Sequence, residues 1–219
     1  MEKVSNLIAK FDSGFPWVRK RALKNLVEIG QSAVKDIIVA LDTPHAPMGL
    51  KKIHTKTQGM SVVEESVRAK KRWPLLIDAL AKIGEPALDE LENSLNHPNP
   101  NVCISAMRVI GKIGHPSAVD LLLPYLESIK SYERESAIIA LGFTHSPRAY
   151  EIIVAALDNE TVDQDAVIEA LGALGDIRAL PRLEKIAASY KKLDGRYGYE
   201  KRFGVNEAIE NIQKGNRQQ

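Results

Sequence analysis

Gly84, Gly114, His145 and Gly175 each close a stretch of helical apolar periodicity, and they stand 30, 31 and 30 residues apart. Chance apolar patterning does not hold a spacing that closely, so the chain reads as successive copies of one unit. Asn101–Glu127 shows the unit most clearly. Val102, Ala106, Val109, Ile110 and Ile113 fall at three- and four-residue steps and make one apolar stripe on a helix. Gly114 suits the backbone needed at a helix end, and Pro116 suits the first turn of the helix that follows. Ala118, Val119, Leu122, Leu123 and Leu126 then form a second stripe. A two-helix hairpin of this size cannot bury both stripes by itself, so it must stack on a neighbour of the same kind.

The other copies follow the same ruler. Val18–Gly30 and Ser32–Asp42 form the first, and Ala79–Gly84 continuing to Leu95 ends the second. Glu135–Asp158 is the fourth, with His145 where the others have glycine, and Asp165–Ala187 is the fifth. Between Gly30 and Gly84 the gap is 54 residues, which implies an insertion from about Thr43 to Val67. Its first part is rich in turn formers and basic residues without a period and is expected to be a loop. Ser61–Trp73 is helical in pattern, and Pro74 is expected to end or kink it. Short capping helices are expected from about Glu2 to Phe11 and beginning at Asn206–Gln213. The predicted fold is all-α: a single-domain α-solenoid over 1–219, with about five helical hairpins and terminal caps. An aromatic content of 5% beside 44% hydrophobic residues fits close packing of small and aliphatic side chains.

Three segments carry the shared pattern: Val18, Arg19, Ala22 and Ile29-Gly30; Ile83-Gly84-Glu85-Pro86-Ala87-Leu88; and Leu174-Gly175-Asp176-Ile177-Arg178-Ala179-Leu180-Pro181. They resemble the HEAT-like repeats of the phycobilisome lyase group and of many bacterial proteins. The resemblance covers roughly Val18 to Ala187 apart from the insertion. It implies a right-handed superhelix with first helices outside and second helices lining a concave side. HEAT-like deoxyhypusine hydroxylases hold iron with paired His-Glu steps, and no histidine here is followed by glutamate.

Charge is uneven along the chain. Met1–Lys82 holds 15 Lys and Arg against 8 Asp and Glu, Ile83–Tyr190 holds 8 against 16, and Lys191–Gln219 holds 7 against 4. A repeat array keeps sequence neighbours together, so this predicts a basic end and an acidic middle. The basic patch comprises Arg19, Lys20, Arg21, Lys24, Lys51, Lys52, Lys56, Arg68, Lys70, Lys71 and Arg72. It reads as a solvated face, or as a contact for an acidic or phosphate-bearing partner. Trp17 and Trp73 lie beside it, and aromatics among bases can stack on nucleotides. A hydrophobic staple at the helix start would explain Trp17 without any ligand. Tyr190–Phe203, with three tyrosines, a phenylalanine and five bases, reads as a contact loop or as a connection that packs its rings on the last repeat. On the second helices, the outward candidates for partner binding are Lys35, Asp36, Asp89, Glu90, Glu92, Asn93, Asp120, Glu127, Glu151, Arg182 and Lys185.

Sites for chemistry are not evident. No phosphate-cradling glycine loop, nucleophile elbow or zinc-protease spacing occurs. Cys103 is the only cysteine, so no internal disulfide is available, and it reads as a buried thiol. His97 and His115 precede prolines and read as turn residues. No metal and no cofactor are expected. The amino terminus shows no signal peptide and the chain no membrane span, so a cytoplasmic protein without a membrane partner is expected. The sequence reading is a scaffold or adaptor that is not an enzyme and binds another protein along its second helices. Two alternatives stay open: a nucleic-acid-binding protein, glycosylase-like, using the basic third, and a bilin lyase subunit suggested by family likeness.

Overall fold

The computed structural model describes residues 3–42 and 60–216, with the backbone alone for 60–70. Among the described residues all regular structure is helical. The chain divides into two compact units, Met1–Ile113 and Gly114–Gln219.

Unit 1 holds α1 (Val4–Ala9), α2 (Pro16–Ile29), α3 (Val34–Leu41), α4 (Met60–Ile83), α5 (Leu88–Ser94) and α6 (Pro100–Ile113). The amino-terminal cap is shorter than expected, since a 3₁₀ turn at Lys10–Asp12 ends it. Ala22 and Leu26 of α2, Val34, Ile37 and Leu41 of α3, and Leu76, Ile77 and Leu80 of α4 are buried together with Val102, Ala106, Val109 and Ile110 of α6. The predicted stripe of α6 is therefore the core face. Cys103 is buried too, and its thiol donates to the Leu95 carbonyl at 3.0 Å.

Pro74 does not end a helix. It sits inside the 24-residue α4, which runs unbroken into the second repeat. Two anchors hold the helix in the turn just before the proline: the Arg72 guanidinium bonds the Asp12 carboxylate, and the Trp73 indole N–H donates to Ser105 Oγ at 3.0 Å. Tertiary contacts of this kind offset the backbone hydrogen bond that proline removes. The expected insertion helix is thus the start of α4, and the expected basic loop at 43–59 lies outside the described residues.

Unit 2 holds α7 (Ala118–Leu122), α8 (Ser131–Phe143), α9 (Pro147–Ala156), α10 (Gln164–Leu174), α11 (Leu180–Tyr190) and α12 (Gly195–Asn216). Ala118, Val119 and Leu122 are buried, but Leu123 and Leu126 are only half-buried. Pro124 explains the difference, because Leu123–Glu127 tightens into a 3₁₀ turn and loses the 3.6-residue period. The carboxy-terminal cap is longer than expected. α12 begins at Gly195, so most of the aromatic stretch read as a loop is helical.

The five ruler positions share a positive φ, with ψ extended at Gly30 and Gly84 (−139° and −141°) and left-handed helical at Gly175 (10°). Gly30, Gly84, Gly114 and Gly175 take φ of 67°, 76°, 66° and 74°, and His145 takes 49° in the same place. A second repeated device was not anticipated. Ala140-Leu141-Gly142 and Ala170-Leu171-Gly172 stand in the same register of α8 and α10. A Cβ at Gly142 would stand 2.7 Å from the Ala170 Cα, and one at Gly172 would stand 2.8 Å from the Ala208 Cα. The missing side chains let α8, α10 and α12 pack in succession at backbone contact.

Candidate functional site

The second helices present the predicted partner-binding residues to solvent. Lys35 and Asp36 on α3, Asp89, Glu92 and Asn93 on α5, Asp120 on α7, Glu151 on α9, and Arg182 and Lys185 on α11 are exposed, as is Glu127, while Glu90 is half-buried. Several are tied to the neighbouring hairpin. In unit 1, Lys35 reaches Glu90 at 3.2 Å, from α3 to α5. In unit 2, the Arg148 guanidinium grips both Asp120 oxygens at 2.8 and 3.3 Å. Arg178 bonds Glu151 at 3.1 Å, and Arg182 holds both oxygens of Asp158 at 2.9 and 3.1 Å.

Two of these pairs obey one rule. Arg148 and Arg178 each precede the buried alanine of their hairpin, Ala149 or Ala179, and Asp120 and Glu151 each follow theirs by two. An arginine of one hairpin thus meets an acid of the hairpin before it. The bond from Arg148, and its charge, hold Asp120 below the usual carboxylate range. Arg178 is fixed further, by Asp176 at 2.7 Å and by lying 3.8 Å from the centre of the Tyr150 ring. Its hydrogen bond is the main cause that lowers Asp176. Asp158, Gln164, Arg182, Lys185 and Ile186 line a shallow cavity of about 310 Å³, and the Tyr190 hydroxyl donates to Gln164 Oε1 at 2.6 Å beside it. The choice of exposed positions did not include Arg148, Asp158 or Arg178. The signal was present as Arg-Ala recurring thirty residues apart.

The basic patch is only partly assembled. Lys51, Lys52 and Lys56 lie outside the described residues, as do the side chains of Arg68 and Lys70. Lys20, Arg21 and Lys71 are exposed. Arg19 donates to the Ser13 carbonyl at 2.7 Å, Lys24 pairs with Glu28 at 3.6 Å, and Arg72 is engaged by Asp12. Trp73 is withdrawn from the patch by its bond to Ser105, with Arg108 over its ring at 5.8 Å. Trp17 is not a buried staple. It is 66% exposed, and its neighbour Phe15, 6.2 Å away centre to centre, is 63% exposed. Of the rings in Tyr190–Phe203, Tyr190 does pack on the last repeat, buried and bonded to Gln164 of α10, whereas Tyr197, Tyr199 and Phe203 are exposed on α12.

His97 and His115 serve turns. His97 Nδ1 accepts from the Asn99 amide at 3.1 Å, and His115 Nδ1 accepts from the Ser117 amide at 3.2 Å. Among the described residues no group of three or more His, Cys, Asp or Glu converges as a metal site would require. No helix among them is long and apolar enough to cross a membrane.

The family model described as HEAT repeats matches residues 88–166, and that described as PBS lyase HEAT-like repeat matches 163–189. Residues 88–189 therefore carry HEAT-like repeats, the last of them of the PBS lyase type. The second match falls on α10, the 3₁₀ turn Ile177–Ala179 that carries Arg178, and α11, which carries Arg182 and Lys185. This HEAT-like repeat protein is 24% identical over 187 residues to a protein of Pseudanabaena tenuis described as "uncharacterized phycocyanin operon protein Z", covering 85% of this chain and 82% of the other. Among solved structures, an engineered protein aligns at 18% identity over 98% of both chains with a TM-score of 0.45. A structure of the complex of CpcE and CpcF of phycocyanin lyase from Nostoc sp. PCC7120 aligns at 17% identity, over 97% of this chain and 95% of that one, with a TM-score of 0.32. The expectation that the chain is not an enzyme is corrected: the match of residues 163–189 to the PBS lyase HEAT-like repeat points instead to a lyase-related protein.

Proposed function

We propose that the chain is a subunit of a bilin lyase and that it holds the bilin-carrying protein against the second helices of unit 2. The observation that carries the reading is the PBS lyase HEAT-like repeat match at 163–189, on the helices that bear the Arg178 and Arg182 ion pairs. The phycocyanin-operon relative supports the substrate class. Asp120, Glu127, Glu151, Arg182 and Lys185 are the contact residues of unit 2 in this reading, and Lys35, Asp36, Asp89, Glu90, Glu92 and Asn93 are candidates of the same kind on the second helices of unit 1. Cross-hairpin pairing pre-orients long side chains, so less rotamer freedom is lost when a protein docks on them. The bilin is the substrate, and the chain's own groups position the protein that carries it.

Coexpression with a phycobiliprotein subunit and a bilin source tests this. Visible absorbance of the denatured, purified phycobiliprotein should change several-fold when the wild-type chain is present. The double variant Arg182→Glu, Lys185→Glu should cancel that change while keeping its helicity. Equal absorbance with the wild-type chain, with the variant and with no chain defeats the reading.

A further inference from the structure

The strongest feature outside that surface lies on α2. Trp17, Lys20, Arg21 and Lys24 stand at i, i+3, i+4 and i+7, so one helical face carries an indole followed by three cations. Trp17 and Phe15 are the exposed rings at its start. Beside them α1 and α2 enclose an open trough of about 350 Å³ lined by Leu7, Lys10, Trp17, Val18, Arg21 and Ala22. Leu7, Val18 and Ala22 make its walls mostly apolar, Asn25 adds one uncharged polar side chain, and its rim carries Lys10 and Arg21. From Lys3 to Asn25 the bases are Lys3, Lys10, Arg19, Lys20, Arg21 and Lys24, and the acid in that span is Asp12, which Arg72 already engages; Glu28, one turn on, pairs with Lys24 at 3.6 Å with both side chains mostly in solvent. An isolated exposed leucine would mean little, but an exposed tryptophan over an apolar trough with a one-signed rim is the composition of an interface anchor.

We infer that this face of α2 docks a partner protein through an acidic amphipathic helix. The helix's apolar side chains fill the trough against Trp17, and its carboxylates meet Lys10, Lys20, Arg21 and Lys24. A nucleic acid would satisfy the cations with its phosphates and stack bases on the exposed rings, but it has no aliphatic side chains to fill the trough between Leu7, Val18 and Ala22, so a protein covers the whole surface and a nucleic acid only part of it. The inference is independent of the lyase reading, since it uses the other unit and another chemistry.

The full-length chain is titrated into a labelled peptide of about five helical turns, with leucine on one face and glutamate on the other, and binding is followed by fluorescence anisotropy. The acidic peptide should bind and weaken as salt rises. Trp17→Ala should lower its affinity at least tenfold with an unchanged melting curve, as the ring is mostly in solvent. Arg21→Glu should weaken the acidic peptide and strengthen a peptide with lysine in place of glutamate. The inference is overturned by no binding of the acidic peptide at low salt, by equal binding of the lysine peptide, or by Trp17→Ala binding as tightly as wild type. Tighter Trp17-dependent binding of oligothymidine or of phosphatidylserine vesicles overturns it equally, in favour of a phosphate-bearing partner.

Discussion

A methyl group added at Gly142 would run into the backbone of α10 at Ala170, whereas one added at Gly204 of α12 would meet nothing within 4 Å. Both glycines are helical, so the same substitution should act with opposite sign. Gly142→Ala should cost about 2 kcal/mol, because packed backbone must move apart. Gly204→Ala should add about 0.5–1 kcal/mol through the lost freedom of the unfolded chain. Urea unfolding of the two variants checks this, and destabilisation of similar size at both positions would contradict the close approach of α8 and α10. Nothing in the residue type separates these glycines. The repeated Ala-Leu-Gly hints at Gly142 and Gly172, but only the position of the next helix says which glycine has no room.

At the scale of one element, the start of α8 is pinned by a carboxylate. Glu133 is buried, and it accepts from Ser128 Oγ at 2.5 Å and from Lys130 Nζ at 2.8 Å. Burial alone would raise its pKa, but the bonds from Lys130 and Ser128 outweigh it, so the group titrates below its ordinary value of 4.5. A carboxyl depressed in the folded state stabilises the fold above the unfolded pKa, and that share is lost as pH falls through the folded value. The stability difference between wild type and Glu133→Gln should therefore be constant from pH 7 to 5 and shrink below about 4.5. Chemical denaturation across that range measures it, and a difference independent of pH would show that the ionised form is not what holds the helix start. Element boundaries were the least legible part of the chain. Pro74 reads locally as a stop, and the Trp73–Ser105 bond that carries α4 past it spans 32 residues.

The chain divides into two compact units, and the repeat principle sets how damage within one of them spreads. Ala106 is 1% exposed on α6 in unit 1. Ala106→Asp buries an unpaired charge, a change worth several kcal/mol. In a repeat protein the loss should stay with the neighbouring hairpins. Hydrogen exchange of that variant should show protection lost across 71–113 and kept across 131–216. Retained helicity with unchanged melting would contradict the inward placement of Ala106. The sequence by itself determined the all-α fold, the thirty-residue ruler and the turn at each mark, His145 included, because period and turn chemistry depend on residues within one or two turns of each other. The tertiary structure decided which exposed charges became the Arg148–Asp120 and Arg178–Glu151 pairs, and which tryptophan was drawn inward and which was left in solvent. Those outcomes depend on distances between hairpins, and the stacking that sets such distances comes from core packing that no local pattern encodes.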